Sequence, residues 1–153
     1  METTLFIDAV PHEQELIAVL SENIYKNYND LCEAIVLFLD PDSEIWDHAG
    51  RRGKYFHGYR NKSILVDLYL LSIDGQGVLK CDFHFRKRFV DSLLKKKESF
   101  SKETQGYIDS CLECNKLGGG FWCEIRIDDK TLQDAIQIIK MLAGRKMANV
   151  DLR

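Results

Sequence analysis

From Glu44 to Phe85 the chain is written in period two. The segments 44–49, 54–60, 63–73 and 78–85 are rich in β-branched and aromatic residues. Between them lie Gly50-Arg51-Arg52-Gly53, Asn61-Lys62 and Asp74-Gly75-Gln76-Gly77. Apolar segments punctuated by such turns predict four strands of an antiparallel meander. In the last of them Leu79, Cys81, Phe83 and Phe85 share one face while Lys80, Asp82, His84 and Arg86 share the other, which is how a sheet covered on one side reads.

The flanks keep a three-to-four spacing instead. Pro11, tolerated at a first helical position, followed by Leu16, Val19 and Leu20, predicts a helix over about 12–21. Ile24, Tyr28, Leu31, Ile35 and Phe38 predict a second over 22–39, stopped by Asp40-Pro41-Asp42. Two more are expected over 87–97 and 102–113, the latter with Ser101 as N-cap. A fifth strand covers 121–127, with Phe121, Cys123, Ile125 and Ile127 alternating with Trp122, Glu124 and Arg126. Asp129 is then expected to cap a last helix bearing Leu132, Ala135, Ile136, Ile139 and Leu142, with Gly144 as its stop. The expected class is α+β: a largely antiparallel five-stranded sheet with helices on one face, in the order α-α-β-β-β-β-α-α-β-α. One domain spans 1–153, with its core over 12–146 and flexible termini.

Composition narrows the function classes. At 153 residues, 45% hydrophobic and 29% charged, the chain can bury a real core. Lys plus Arg total 21 against 24 Asp plus Glu, a net charge of -3 that gives no global positive field for nucleic acid. No apolar run approaches the roughly 20 residues of a membrane span. Glu2 and Asp8 stand where a secretory signal would carry positive charge. Five cysteines, at 32, 81, 111, 114 and 123, are an odd number scattered through helix and strand, which favours reduced thiols and a cytoplasmic setting.

Local motifs carry little chemistry. Cys111-x-x-Cys114 lacks the second close pair of a zinc site and sits at the wrong end of a helix for thioredoxin-type chemistry; metal there is the lesser reading, and no cofactor is expected. Cys81 and Cys123, on apolar strand faces, read as inert core. Lys116-Leu117-Gly118-Gly119-Gly120 follows a helix and precedes a strand, the reverse of a phosphate loop, so it reads as a cap and connection. The basic runs Arg51-Arg52, Arg86-Lys87-Arg88 and Lys95-Lys96-Lys97 read as turns and helix ends. No Gly-x-Ser-x-Gly, His-Glu-x-x-His or Walker motif occurs.

The polar sheet face holds the candidate site. Alternation groups Asp82 with His84, and Trp122 with Glu124 and Arg126; the meander adds either Tyr55, His57 and Tyr59 or Asp67 and Tyr69. Plain solvated surface, a small-molecule site and a homodimer or regulatory-protein interface all fit such a face. The favoured expectation is a ligand site lined by Trp46, Tyr55, His57, Asp82, His84, Trp122, Glu124 and Arg126. A small hydrolase-like enzyme would instead use Glu124 or His84 as general base and Arg126 as anion clamp.

The helix pair, Glu44-Ile45-Trp46, the Gly53-Lys54 and Lys62 turns, Asp82-Phe83-His84-Phe85, and Gly120-Phe121-Trp122 before a Leu132-containing helix together resemble an uncharacterised bacterial family. This is the domain-of-unknown-function family 3788, similar to small α+β domains of the YdhG-like type. The likeness covers roughly 12–146 and implies a fold and a bacterial cytosolic setting. It carries no activity onto particular residues.

Overall fold

The computed structural model describes residues 1–49, 54–62, 64–114 and 120–151, the side chains of 114, 120 and 145–151 excepted. It begins with a strand, β1 (Glu2–Leu5), followed by helices α1 (Glu13–Leu20) and α2 (Glu22–Ala34). Pro11 precedes the N-cap His12 and does not enter the first turn, where Glu13 and Glu15 face the positive end of the helix dipole. Ser21, at φ 77, breaks the path between α1 and α2. A π-helical turn, Ile35–Leu39, prolongs α2 until Asp40 enters the left-handed region.

The meander then runs β2 (Ser43–His48), β3 (Tyr55–Asn61), β4 (Ile64–Ile73) and β5 (Gln76–Arg86). Asp74 and Gly75, both at positive φ, close β4 onto β5 as a two-residue turn with Ile73 opposite Gln76. The expected turns at 50–53 and at Gly118-Gly119 lie outside the described residues. After β5 come α3 (Phe89–Lys96), α4 (Lys102–Cys114), β6 (Gly120–Ile127) and α5 (Leu132–Asp151). Ser101 caps α4 as expected, its Oγ accepting the Thr104 N–H at 3.2 Å.

Four expectations need correction. The sheet has six strands in the order β1-β2-β3-β4-β5-β6, and it is mixed, because β1 pairs with β2 in parallel, Glu2 beside Ser43 and Leu5 beside Trp46. The element order therefore carries a leading strand absent from the sequence reading, within a terminus expected to be flexible. Asp128, not Asp129, caps the last helix: its carboxylate accepts the N–H groups of Lys130 and Thr131, while Asp129 accepts from Asn27 on α2. Gly144 does not end α5, since a glycine within a helix costs only about 1 kcal/mol and Arg145 to Asp151 contain no proline.

The helices cover one face of the sheet. On β4, β5 and β6 that face is apolar: Val66, Leu68 and Leu70; Leu79, Cys81, Phe83 and Phe85; Phe121, Cys123, Ile125 and Ile127. With Leu16, Leu20, Leu31, Leu93, Ile108, Ile138 and Ile139 from the helices they form one core. A Cβ on Gly77 would overlap the Leu20 carbonyl, so glycine there lets the end of α1 lie directly on β5.

Candidate functional site

Six of the eight sequence-proposed ligand residues are polar or charged, but the register divides the eight between two faces. Trp46 pairs with His57, and Tyr55 lies two residues from His57 on the same strand, so these three point to the helix-covered side. Asp82, His84, Trp122, Glu124 and Arg126 point to the other side, where Asp67 and Tyr69 join them. The structure thus brings five of the eight together and separates the remaining three by the thickness of the sheet.

On the uncovered face one cross-strand row reads Gly58, Asp67, Asp82, Glu124, each opposite the next. Carboxylates directly opposite repel. Cations from the adjoining rows offset this: Arg60 donates to Asp67 in a close ion pair, His84 lies between Asp82 at 3.2 Å and Asp67 at 3.6 Å, and Lys80 approaches Glu124 at 3.5 Å. Arg60 reaches Asp67 by folding back over Gly58, with its guanidinium 6.0 Å from the Phe56 ring centre. A Cβ at Gly58 would stand 2.8 Å from both the Arg60 and Asp67 polar atoms, which accounts for a glycine in mid-strand.

These side chains roof the row. Asp67 and Asp82 are only 6% and 8% exposed, although no described helix covers this face, while His84, Trp122 and Glu124 stay accessible. Burial raises the Asp67 pKa against the opposing pull of Arg60, and the bond to Asp82 raises that of His84 despite partial burial. The group therefore favours holding an extra proton. One Asp82 oxygen accepts from His84; the other, Oδ1, is buried without a hydrogen-bond partner among the described residues.

The covered side holds a second polar group built on β2, β3 and α2. His57 stacks on Trp46 with ring centres 3.9 Å apart, and Tyr59 lies 4.5 Å away. His57 Nε2 faces Glu44 at 3.7 Å, without a hydrogen bond among the described residues, and Nδ1 lies 2.8 Å from the Tyr28 hydroxyl; with its proton on Nε2, toward the carboxylate, the ring accepts from that hydroxyl. Glu44 also accepts from Thr3 of β1 at 3.3 Å. Burial lowers the His57 pKa, raises those of Tyr28 and Tyr59, and pushes the Cys32 thiol to about 12. Those four groups are held neutral, while the His57 side chain holds the Glu44 carboxyl below its ordinary value, and the nest joins α2 to the sheet.

Sequence reasoning left out Arg60, Tyr28 and Glu44. Gly58 inside a strand and Asp67 inside Leu65-Val66-Asp67-Leu68 were the available signals, since each implies a neighbour brought close. Of the lesser metal pair, the Cys111 sulfur accepts the Glu124 N–H at 3.3 Å and the Cys114 side chain lies outside the described residues. No group of three or more potential metal ligands occurs among the described residues. Nor is any described helix long and apolar enough to cross a membrane.

No protein-family model, curated protein or solved structure matches this chain, so the resemblance to family 3788 rests on the residues quoted for it alone.

Proposed function

We propose that the uncovered face of β3 to β6 binds a small polar molecule in the cytoplasm, with Asp82 as the central acceptor and His84, Trp122, Glu124 and Arg126 around it. The observation that carries this reading is the Asp82 carboxylate, buried on a face that no described helix covers and left with an oxygen that lacks a donor among the described residues. A ligand supplying an N–H or O–H group meets that need, and the half-exposed Trp122, directly opposite His84, offers an apolar surface for the rest of it. Catalysis by His84 is the weaker reading, because a base held between two carboxylates is more often already protonated.

A thermal-shift screen with small amines, amides and polyols tests the proposal. Hits should raise the melting temperature of the native chain and lose their effect in Asp82→Asn, Trp122→Ala and Arg126→Ala, while the unliganded melting temperatures of the last two stay within a degree or so of native. Hits that shift all three variants as they shift the native chain would overturn it. The exposure of Trp122 favours one second reading, a homodimer across the same face. Sedimentation should then show a dimer that Trp122→Ala dissociates.

A further inference from the structure

We propose that Cys111 and Cys123 are a peroxide-oxidisable pair, converted by a hydroperoxide to an intrachain disulfide that ties α4 to β6. Both residues lie in the core where that helix packs against that strand. Their closeness follows from the backbone. The Glu124 N–H donates to the Cys111 sulfur at 3.3 Å, and that nitrogen is one peptide bond from Cys123, so the sulfur lies within about 6 Å of the Cys123 Cα. That is within reach of disulfide geometry without unfolding either element.

The roles differ between the two thiols. Cys111 lies toward the outer edge of β6 and retains 7% exposure, against 1% for Cys123. The neighbouring Cys123 and the Glu124 amide favour its thiolate, whereas the neighbouring Cys111 and burial hold Cys123 protonated. Cys111 sulfur attacks the distal peroxide oxygen, forming the S–O bond and breaking O–O; the leaving alkoxide takes a proton and departs as alcohol, or as water from hydrogen peroxide. Cys123 sulfur then attacks the sulfenic sulfur, forming S–S and breaking S–O, and the departing hydroxide leaves as water with the Cys123 proton. Two thiols and one hydroperoxide become one disulfide, one alcohol and one water. Cys81, wholly buried on the same strand face as Cys123, has its thiol pushed up by burial and does not compete as nucleophile.

The test treats the reduced full chain with stoichiometric hydrogen peroxide, blocks residual thiols by alkylation, and maps peptides without reduction. A 111–123 linked peptide, with an intact-mass loss of about 2 Da, is expected in the native chain and in Cys114→Ser. Cys123→Ser should instead leave a sulfenic acid at position 111 that dimedone traps, and Cys111→Ser should form neither product. Linkage of Cys111 to Cys114 in the native chain, or a folded chain whose Cys111 and Cys123 both remain fully alkylatable after treatment, would overturn the proposal.

Discussion

His57 and His84 belong to the same sheet, and each has a carboxylate beside it, yet their pKa values shift in opposite directions from the ordinary imidazole value. His57 lies under α2, its ring enclosed by Trp46, Tyr59 and Tyr28, and desolvation outweighs the attraction of Glu44. His84 keeps contact with solvent and has two carboxylates in reach, so the hydrogen bond to Asp82 outweighs its partial burial. Carboxylate proximity alone does not set the sign of a histidine shift; the face on which the ring lies decides which effect is larger.

The widest separation between the two sites should be in stability. His57→Ala removes a buried ring stacked on Trp46 and leaves the Tyr28 hydroxyl without its acceptor, a loss of about 3 kcal/mol. His84→Ala removes an accessible partner and should lose under about 1 kcal/mol. Urea denaturation of both variants checks this, and equal losses would erase the distinction. Next in size is Arg60→Ala, which strips Asp67 of its cation opposite Asp82. A loss of about 2 kcal/mol is expected at neutral pH, and Asp67→Asn in the same chain should recover most of it.

The pH dependence is smaller and has two limbs. The folded pKa of His57 lies below 6.5, so the folded chain resists protonation there and stability rises with pH up to about that value. For His84 the folded pKa lies above 6.5; its contribution is complete below 6.5 and is lost as pH rises through the folded value. Urea midpoints between about pH 5 and 8 should therefore lose the rising limb in His57→Phe and the falling limb in His84→Gln. Imidazole proton shifts followed by NMR assign the limbs directly. Smallest of all, Trp122→Ala should alter stability by no more than about 0.5 kcal/mol, and a concentration-dependent loss would identify the uncovered face as a dimer contact.

The meander was legible because period two and its turn residues are local signals, and the division of β5 between Leu79, Cys81, Phe83, Phe85 and the polar set follows directly from them. β3 was not, since Tyr55, His57 and Tyr59 on one face and Phe56, Gly58 and Arg60 on the other are aromatic and polar alike. Polar aromatic residues go to the covered side when a partner such as Tyr28 satisfies them, and that partner is 29 residues away in sequence. Asp128-Asp129 shows the same limit over a shorter span: two adjacent capping residues are equivalent until the turn forms. Alternation places Cys123 in the core, where the structure has it, but it gives no sign that Cys111 lies beside it, because only the packing of α4 brings Cys111 there.

The parallel strand β1 bears on the order in which the molecule assembles. Short connections link β3 to β4 and β4 to β5, whereas β1 must wait for two helices and the π-helical turn to close the long path from Leu5 to Ser43. Its arrival satisfies the outer backbone edge of β2, with Phe6 donating to the Trp46 carbonyl at 2.9 Å, and sets Thr3 against Glu44. Until then that edge is a template for any other extended chain.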